Sequence, residues 1–280
     1  MRAAQGKGNR TMKIIRKWSV VILALLAITG AAWGQGGGGA GAMAPMPQSF
    51  DEAVLIIAVG DLPGAINDAG TLGSQIMPMI TPELLRMQVG QIVGDPQLAG
   101  IAAGTGLVAA NFMPNRMILF VEVASAQMDL YVQAMQAQGR PVAKSGGLLV
   151  LANNQALVDA GVRMASQAAA SLRAARASTL RITLHMDKIM ASFGPMIQMG
   201  IGAMAMQSMS QLQQSGAAPE DIQKAQMMMQ LQVGAFQRIL NQIRTLHVEL
   251  AAPAKGLQVT TTIIPQPRSD LATLFAAPVQ

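Results

Sequence analysis

The chain has no cysteine, two histidines and one tyrosine in 280 residues, and aromatic residues make up only 3% of it. The first absence excludes disulfides, thiolate nucleophiles and thiolate metal sites. It also removes the residue through which an exported lipoprotein takes its lipid. Two histidines leave little for zinc binding or general acid–base work. With hydrophobic residues at 51% and so few rings, a core has to be built from Leu, Ile, Val, Ala and Met. Acidic residues are missing before residue 35, where Arg2, Lys7, Arg10, Lys13, Arg16 and Lys17 all stand. The other 14 Lys and Arg are matched by 14 Asp and Glu, so the net charge of +6 belongs to the N-terminal segment. A neutral body offers phosphate no electrostatic footprint, which excludes nucleic acid as a partner.

What is present at the N-terminus is a leader. "MKIIRKWSVVILALLAITGAAWGQ" has a basic start, an apolar stretch from Ser19 to Ile28, and small residues at Ala32 and Gly34. This pattern predicts a signal peptide over residues 1–34, with Met12 as a workable true start and cleavage near Gly34–Gln35. An uncleaved anchor is the competing reading, but the apolar stretch is short against the roughly 20 residues of a bilayer span. The protein is expected to be exported, periplasmic or secreted. Residues 35–49, "QGGGGAGAMAPMPQS", read as a Gly-rich flexible tether.

From Phe50 onward the pattern predicts an α+β fold: antiparallel sheets packed by long helices. "AVLIIAVGD" is a strand whose Asp61 caps a helix with Pro63 in its first turn. "TPELLRMQVGQIV" starts a second helix with Thr81 as cap. "GLVAANF" and "MILFVEVA" form a hairpin, and Ser125 is expected to cap "AQMDLYVQAMQAQG". "RPVAKSGG" and "LLVLANN" pivot on Gly146 and Gly147, and Asn154 caps an alanine-rich helix. "STLRITLHMD" alternates, with Leu180, Ile182 and Leu184 facing inward and Arg181, Thr183 and His185 facing solvent. A long helical stretch from Lys188 to about Ile243 is broken near "SGAAPED". A hairpin and a short helix close the chain. The order strand, long helical stretch, hairpin, serine-capped helix occurs twice, over residues 50–176 and 177–280. This reads as a probable internal duplication, the first half holding an extra hairpin and helix.

"MIQMGIGAMAMQSM" carries five methionines inside Ile189–Pro219, 31 residues without charge. At 100° per residue, Met196, Met199, Met206 and Met209 share one arc; Phe193, Ile197 and Ile201 lie on the other side. Three readings compete. Soft thioethers suit Cu(I), but no other soft ligand accompanies them. Pro195, Gly200 and Gly202 interrupt a membrane span. Packing on a sheet, with a sticky stripe left over, fits methionine's usual role. A heptad-like seam then follows through Ile222, Ala225, Met229, Phe236, Ile239 and Ile243, with Gln232 breaking it.

Arg181, His185, His247 and Glu249 fall on the polar faces of two strands and would gather in one patch if the strands pair. A solvated sheet face is favoured over a weak acid–base or metal site. "GTGLVA" (Gly104–Ala109) has the letters of a dinucleotide fingerprint, but a strand should follow it where the fingerprint needs a helix. No phosphate loop or nucleophile elbow is present. The chain is therefore expected to be no enzyme, with no cofactor and no metal.

"VLIIAVGDLPGAI", "MILFVEVASAQMDLYVQAM", "LRITLHMDKIMASF" and "LHVELAAPAKGLQVTTTIIPQPRSDLATLF" together resemble uncharacterised exported bacterial proteins built from two helix-grip-like halves. The resemblance implies a strand, a long helix and an antiparallel hairpin in each half, and no catalytic residues. The function expected is binding of another protein or a cell-envelope component through the Met-rich helical surface, with homo-oligomerisation as one form of it. The alternative is a carrier holding an apolar, lipid-like small molecule between helix and sheet.

Overall fold

The computed structural model describes residues 45–276, apart from 96–97, 99, 113–115, 215–217 and 252–257. The leader and nearly all of the tether lie outside the described residues. The fold is α+β, with eight antiparallel strands and seven helices among the described residues. In chain order these are β1 (Leu55–Val59), α1 (Leu62–Ile76), α2 (Pro82–Val93), β2 (Leu107–Phe112), β3 (Arg116–Glu122), α3 (Ser125–Ala137), β4 (Val142–Ser145), β5 (Leu148–Ala152), α4 (Gln155–Ala175), β6 (Leu180–His185), α5 (Met186–Gln214), α6 (Pro219–Gln242), β7 (Ile243–Ala251), β8 (Gln258–Pro265) and α7 (Asp270–Ala276). The sheet order is β4-β5-β3-β2-β1-β6-β7-β8. The sequence β–α–α–β–β–α occurs from β1 to α3 and again from β6 to α7, with β4, β5 and α4 between. The duplication is thus a reading of element order, not of residue identity. By packing, the chain divides into one unit of Met1–Thr183 with His247–Thr261 and another of Leu184–Leu246 with Thr262–Gln280.

In the first unit β1, β2, β3 and β5 are buried on both faces. Ile56, Ala58, Val108, Ala110, Ile118, Phe120, Leu148 and Val150 point one way and meet α4. Their neighbours Ile57, Val59, Leu107, Leu119, Leu149 and Leu151 point the other way and are buried as well. α1, α2 and α3 supply buried side chains of their own, including Leu62, Ile66, Val93 and Met135. A sheet covered twice needs strands that are apolar throughout, which is how β1, β2 and β3 read. The registers Ile57↔Ala109 and Ala109↔Leu119 fix these strands in one antiparallel ladder.

Local chemistry sets the element ends. The side chain of Asp61 accepts from the Gly64 amide, that of Thr81 from Leu84 and that of Asn154 from Leu157, each at a helix start. Ser125 does not cap α3: the cap position is Ala124 and no side chain bonds there. The serine is already the first helical residue, so its hydroxyl cannot reach the amides a cap would serve. Gly146 (φ 58°) and Gly147 (φ 82°) make the two-residue β4–β5 turn that needs both residues left-handed. Arg140 donates to the carbonyls of Gln91 and Ile92, satisfying the last turn of α2 with a cation where the helix dipole favours one. The Tyr131 hydroxyl donates to Asp95 and accepts from the Gly100 amide. Burial, then the bond to Asp95, pushes this phenol above its ordinary range.

α4 lies close on the sheet at Gly161, where an added Cβ would come within 2.5 Å of Val150 Cγ1 and 2.8 Å of Ile118 Cγ2. Both atoms belong to β-branched side chains that cannot swing away. Alanine gains about 1 kcal/mol of helix propensity here, whereas overpacking costs about 1–3 kcal/mol. Gly161→Ala should therefore lower stability by about 1 kcal/mol in urea unfolding; a stabilised variant would contradict this packing.

Candidate functional site

The second unit reverses the burial of the first. Among its described residues the only buried large hydrophobic side chain is Ile243, while twelve are exposed. Most of the twelve lie on α5 and α6. α5 begins directly after β6, with Asp187 in its first turn where the helix dipole favours an acid. Pro195 sits within it, removing one backbone hydrogen bond from its fourth neighbour back. α6 starts with Pro219 in its first turn, followed by Glu220 and Asp221. The two helices pack on each other. At the far end of α6, Gln242 accepts from the Leu271 amide, and its carbonyl accepts from Gln266. Ser269 caps the short α7 by accepting from Ala272.

Met196, Met199 and Met206 are 63%, 70% and 78% exposed, so the arc drawn from the sequence is an open surface. Phe193 is half-buried, on the other side of the helix as expected. The side chains of Met209, Ile197 and Ile201 lie outside the described residues. α6 departs from expectation. Ile222, Ala225 and Met229 are half-buried, but Phe236 and Ile239 are exposed. The covered stripe continues instead through Val233 and Leu240. Met227, Met228 and Leu231, exposed on α6, were not singled out by periodicity; the run "QMMMQLQ" was their signal.

The polar strand residues come together in part. Arg181 Nε lies 3.5 Å from Glu249 Oε1, and Thr183 Oγ1 lies 2.8 Å from His247 Nδ1. Thr183 is buried and Arg181, His247 and Glu249 are half-buried, so the face that alternation marked as solvated is partly covered. His185, at the end of β6, is half-buried. Each of these pairs matches donor to acceptor within the sheet, as cross-strand polar pairs commonly do. Among the described residues no group of three His, Asp or Glu is placed to hold a metal ion.

A cavity of about 600 Å³ opens where β1 ends, α1 begins and α4 stops. Its walls include Asp61, Asp68, Arg176, Ser178 and Thr179. The charges are mostly engaged. Asp61 accepts from the amides of Gly64 and Gly104, and Arg176 donates to Glu122, which also accepts from the Gly106 amide. The lining mixes these charged and hydroxyl side chains with Gly60, Gly64, Ala65, Ala177 and Ala251, so it is neither wholly polar nor wholly apolar. β2, not a helix, follows Gly104 and Gly106, so the glycines serve a turn and not a dinucleotide. Among the described residues no helix is long and apolar enough to cross a membrane. No protein-family model, curated protein or solved structure matches this chain.

Asp68 is held above the usual carboxylate range, first by burial and then by the charge of Asp61. A carboxyl with a raised folded pKa favours folding while protonated, and that advantage is lost as pH rises above its unfolded value. Asp68→Asn should raise the melting temperature at neutral pH and leave it unchanged near pH 3. Equal effects at both pH values would show that the Asp61–Asp68 repulsion is not the cause.

Proposed function

We propose that this chain is an exported, non-enzymatic protein that binds a protein or cell-envelope component through the exposed stripes of α5 and α6. The observation that carries the reading is the reversed burial of the second unit. A compact body of this size without an apolar interior has little to offset the entropy of ordering it. Exposed apolar patches of this extent on a folded chain mark interaction sites. Methionine suits the role, because its flexible, polarisable side chain adapts to the surface it meets. Export follows from the leader, and its removal would free a chain beginning at Gln35.

Methionine oxidation tests the surface in place. Mild peroxide applied to the native extracytoplasmic fraction should oxidise Met79, 78% exposed in the first unit, rapidly, and Met164, fully buried, hardly at all. Met196, Met199 and Met206 should follow Met164 despite their exposure in the isolated chain. If they oxidise as fast as Met79, nothing covers them and the reading fails. N-terminal sequencing of the same fraction should begin at Gln35; a chain retaining Trp18 in the membrane fraction would overturn the export step.

A further inference from the structure

α6 carries two apolar stripes. Ile222, Ala225, Met229, Val233 and Leu240 make one, half-buried. Met228, Leu231, Ala235 and Ile239 make the other, fully exposed and about 120° further round at 100° per residue. α5 presents Met196, Met199, Ala203 and Met206 to solvent, at spacings of three, four and three. That is the a/d rhythm of a helix–helix seam. A helix that packs against a single neighbour needs one stripe. A second stripe about 120° away is what a helix in a four-helix bundle carries, since each helix there meets two neighbours. The α5–α6 hairpin supplies two helices and leaves two places open.

Resting on the reading that this hairpin is a binding surface, we propose that α5 and α6 of a second copy of the chain fill those places, forming a homodimer around a two-fold axis. Charge argues for it. Ile189–Pro219 holds no charged residue, and the four charges of α6, Glu220, Asp221, Lys224 and Arg238, sum to zero, so the hairpin has no net charge to complement a charged partner or to draw it to lipid headgroups. Size argues for it as well. α6 has 24 residues, about 36 Å, and two helices side by side present about 700 Å², near the about 800 Å² per partner of a stable interface. An identical hairpin also matches length and seam spacing without further requirement, as an isologous contact demands. Ala203 and Ala235 lie in mid-seam on α5 and α6, where a small side chain lets helices approach.

Light scattering coupled to size exclusion decides the case. The full chain at micromolar concentration should have twice the chain mass, and Met199→Glu with Met206→Glu should weaken association by about a hundredfold while keeping the helical circular dichroism. The chain lacks cysteine, so Ala203→Cys adds a single thiol. It should form a disulfide-linked dimer far faster than Arg163→Cys, placed on exposed α4. If the glutamate variant does not fold, this crosslink alone decides. A monomeric wild type overturns the second copy; if Met196, Met199 and Met206 are nevertheless protected in the native fraction, the binding surface stands with a different partner. A monomer that binds phosphatidylcholine vesicles assigns the surface to lipid and also overturns the proposal. A dimer that the glutamate variant leaves intact, or equal crosslinking from positions 203 and 163, places the interface elsewhere.

Discussion

Burial of apolar surface on both sides of a sheet is the constraint on which this structure depends. β1, β2, β3 and β5 carry apolar side chains on both faces and would be untenable with one face in water. α4 closes one face, and the buried side chains of α1, α2 and α3 make up the layer on the other. The close seat of Gly161 on Val150 and Ile118 shows how tightly the first layer is drawn. With only six phenylalanines and one tyrosine available, that tightness comes from aliphatic side chains. The one described ring pair is Phe50 with Phe120, 5.6 Å apart.

The second unit departs from this rule. Its helices are longer, 29 and 24 residues, yet they bury less. Its part of β8 exposes Ile263 and Ile264, and α7 exposes Leu274 and Phe275. The same order of elements that encloses a core in the first unit leaves apolar seams open in the second. In the first half an additional hairpin and helix, β4, β5 and α4, follow α3 and provide cover. An account in which the missing cover comes from another molecule explains why methionine, tolerant of varied surfaces, dominates these helices.

Much of this was legible in the sequence. Asp61, Thr81 and Asn154 announced helix starts because a short polar side chain before an apolar periodic run has one obvious use. The continuous apolar runs in β1 and β3 announced a doubly covered sheet. Ser125 misled because a serine can stand one place inside a helix as readily as before it. Thr183 misled for another reason: alternation shows which side chains share a face, not whether each meets water, and here Thr183 is buried while Arg181, His247 and Glu249 beside it are half-buried. The seam on α6 was read one stripe off at Ile239, since two stripes on one helix are superposed in a single string of letters, and Phe236 is exposed although it projects onto the covered stripe. The cavity at Asp68 and Arg176 was not legible at all, because it joins residues from α1 and from the end of α4, far apart in the chain.

Amide hydrogen exchange across a dilution series tests the central claim most directly. If the α5 and α6 seams are closed by a second copy, amides of residues 190–240 should exchange slowly at high protein concentration and much faster on dilution, while those of β1, β2 and β3 stay protected throughout. Exchange in α5 and α6 that does not depend on concentration would contradict it.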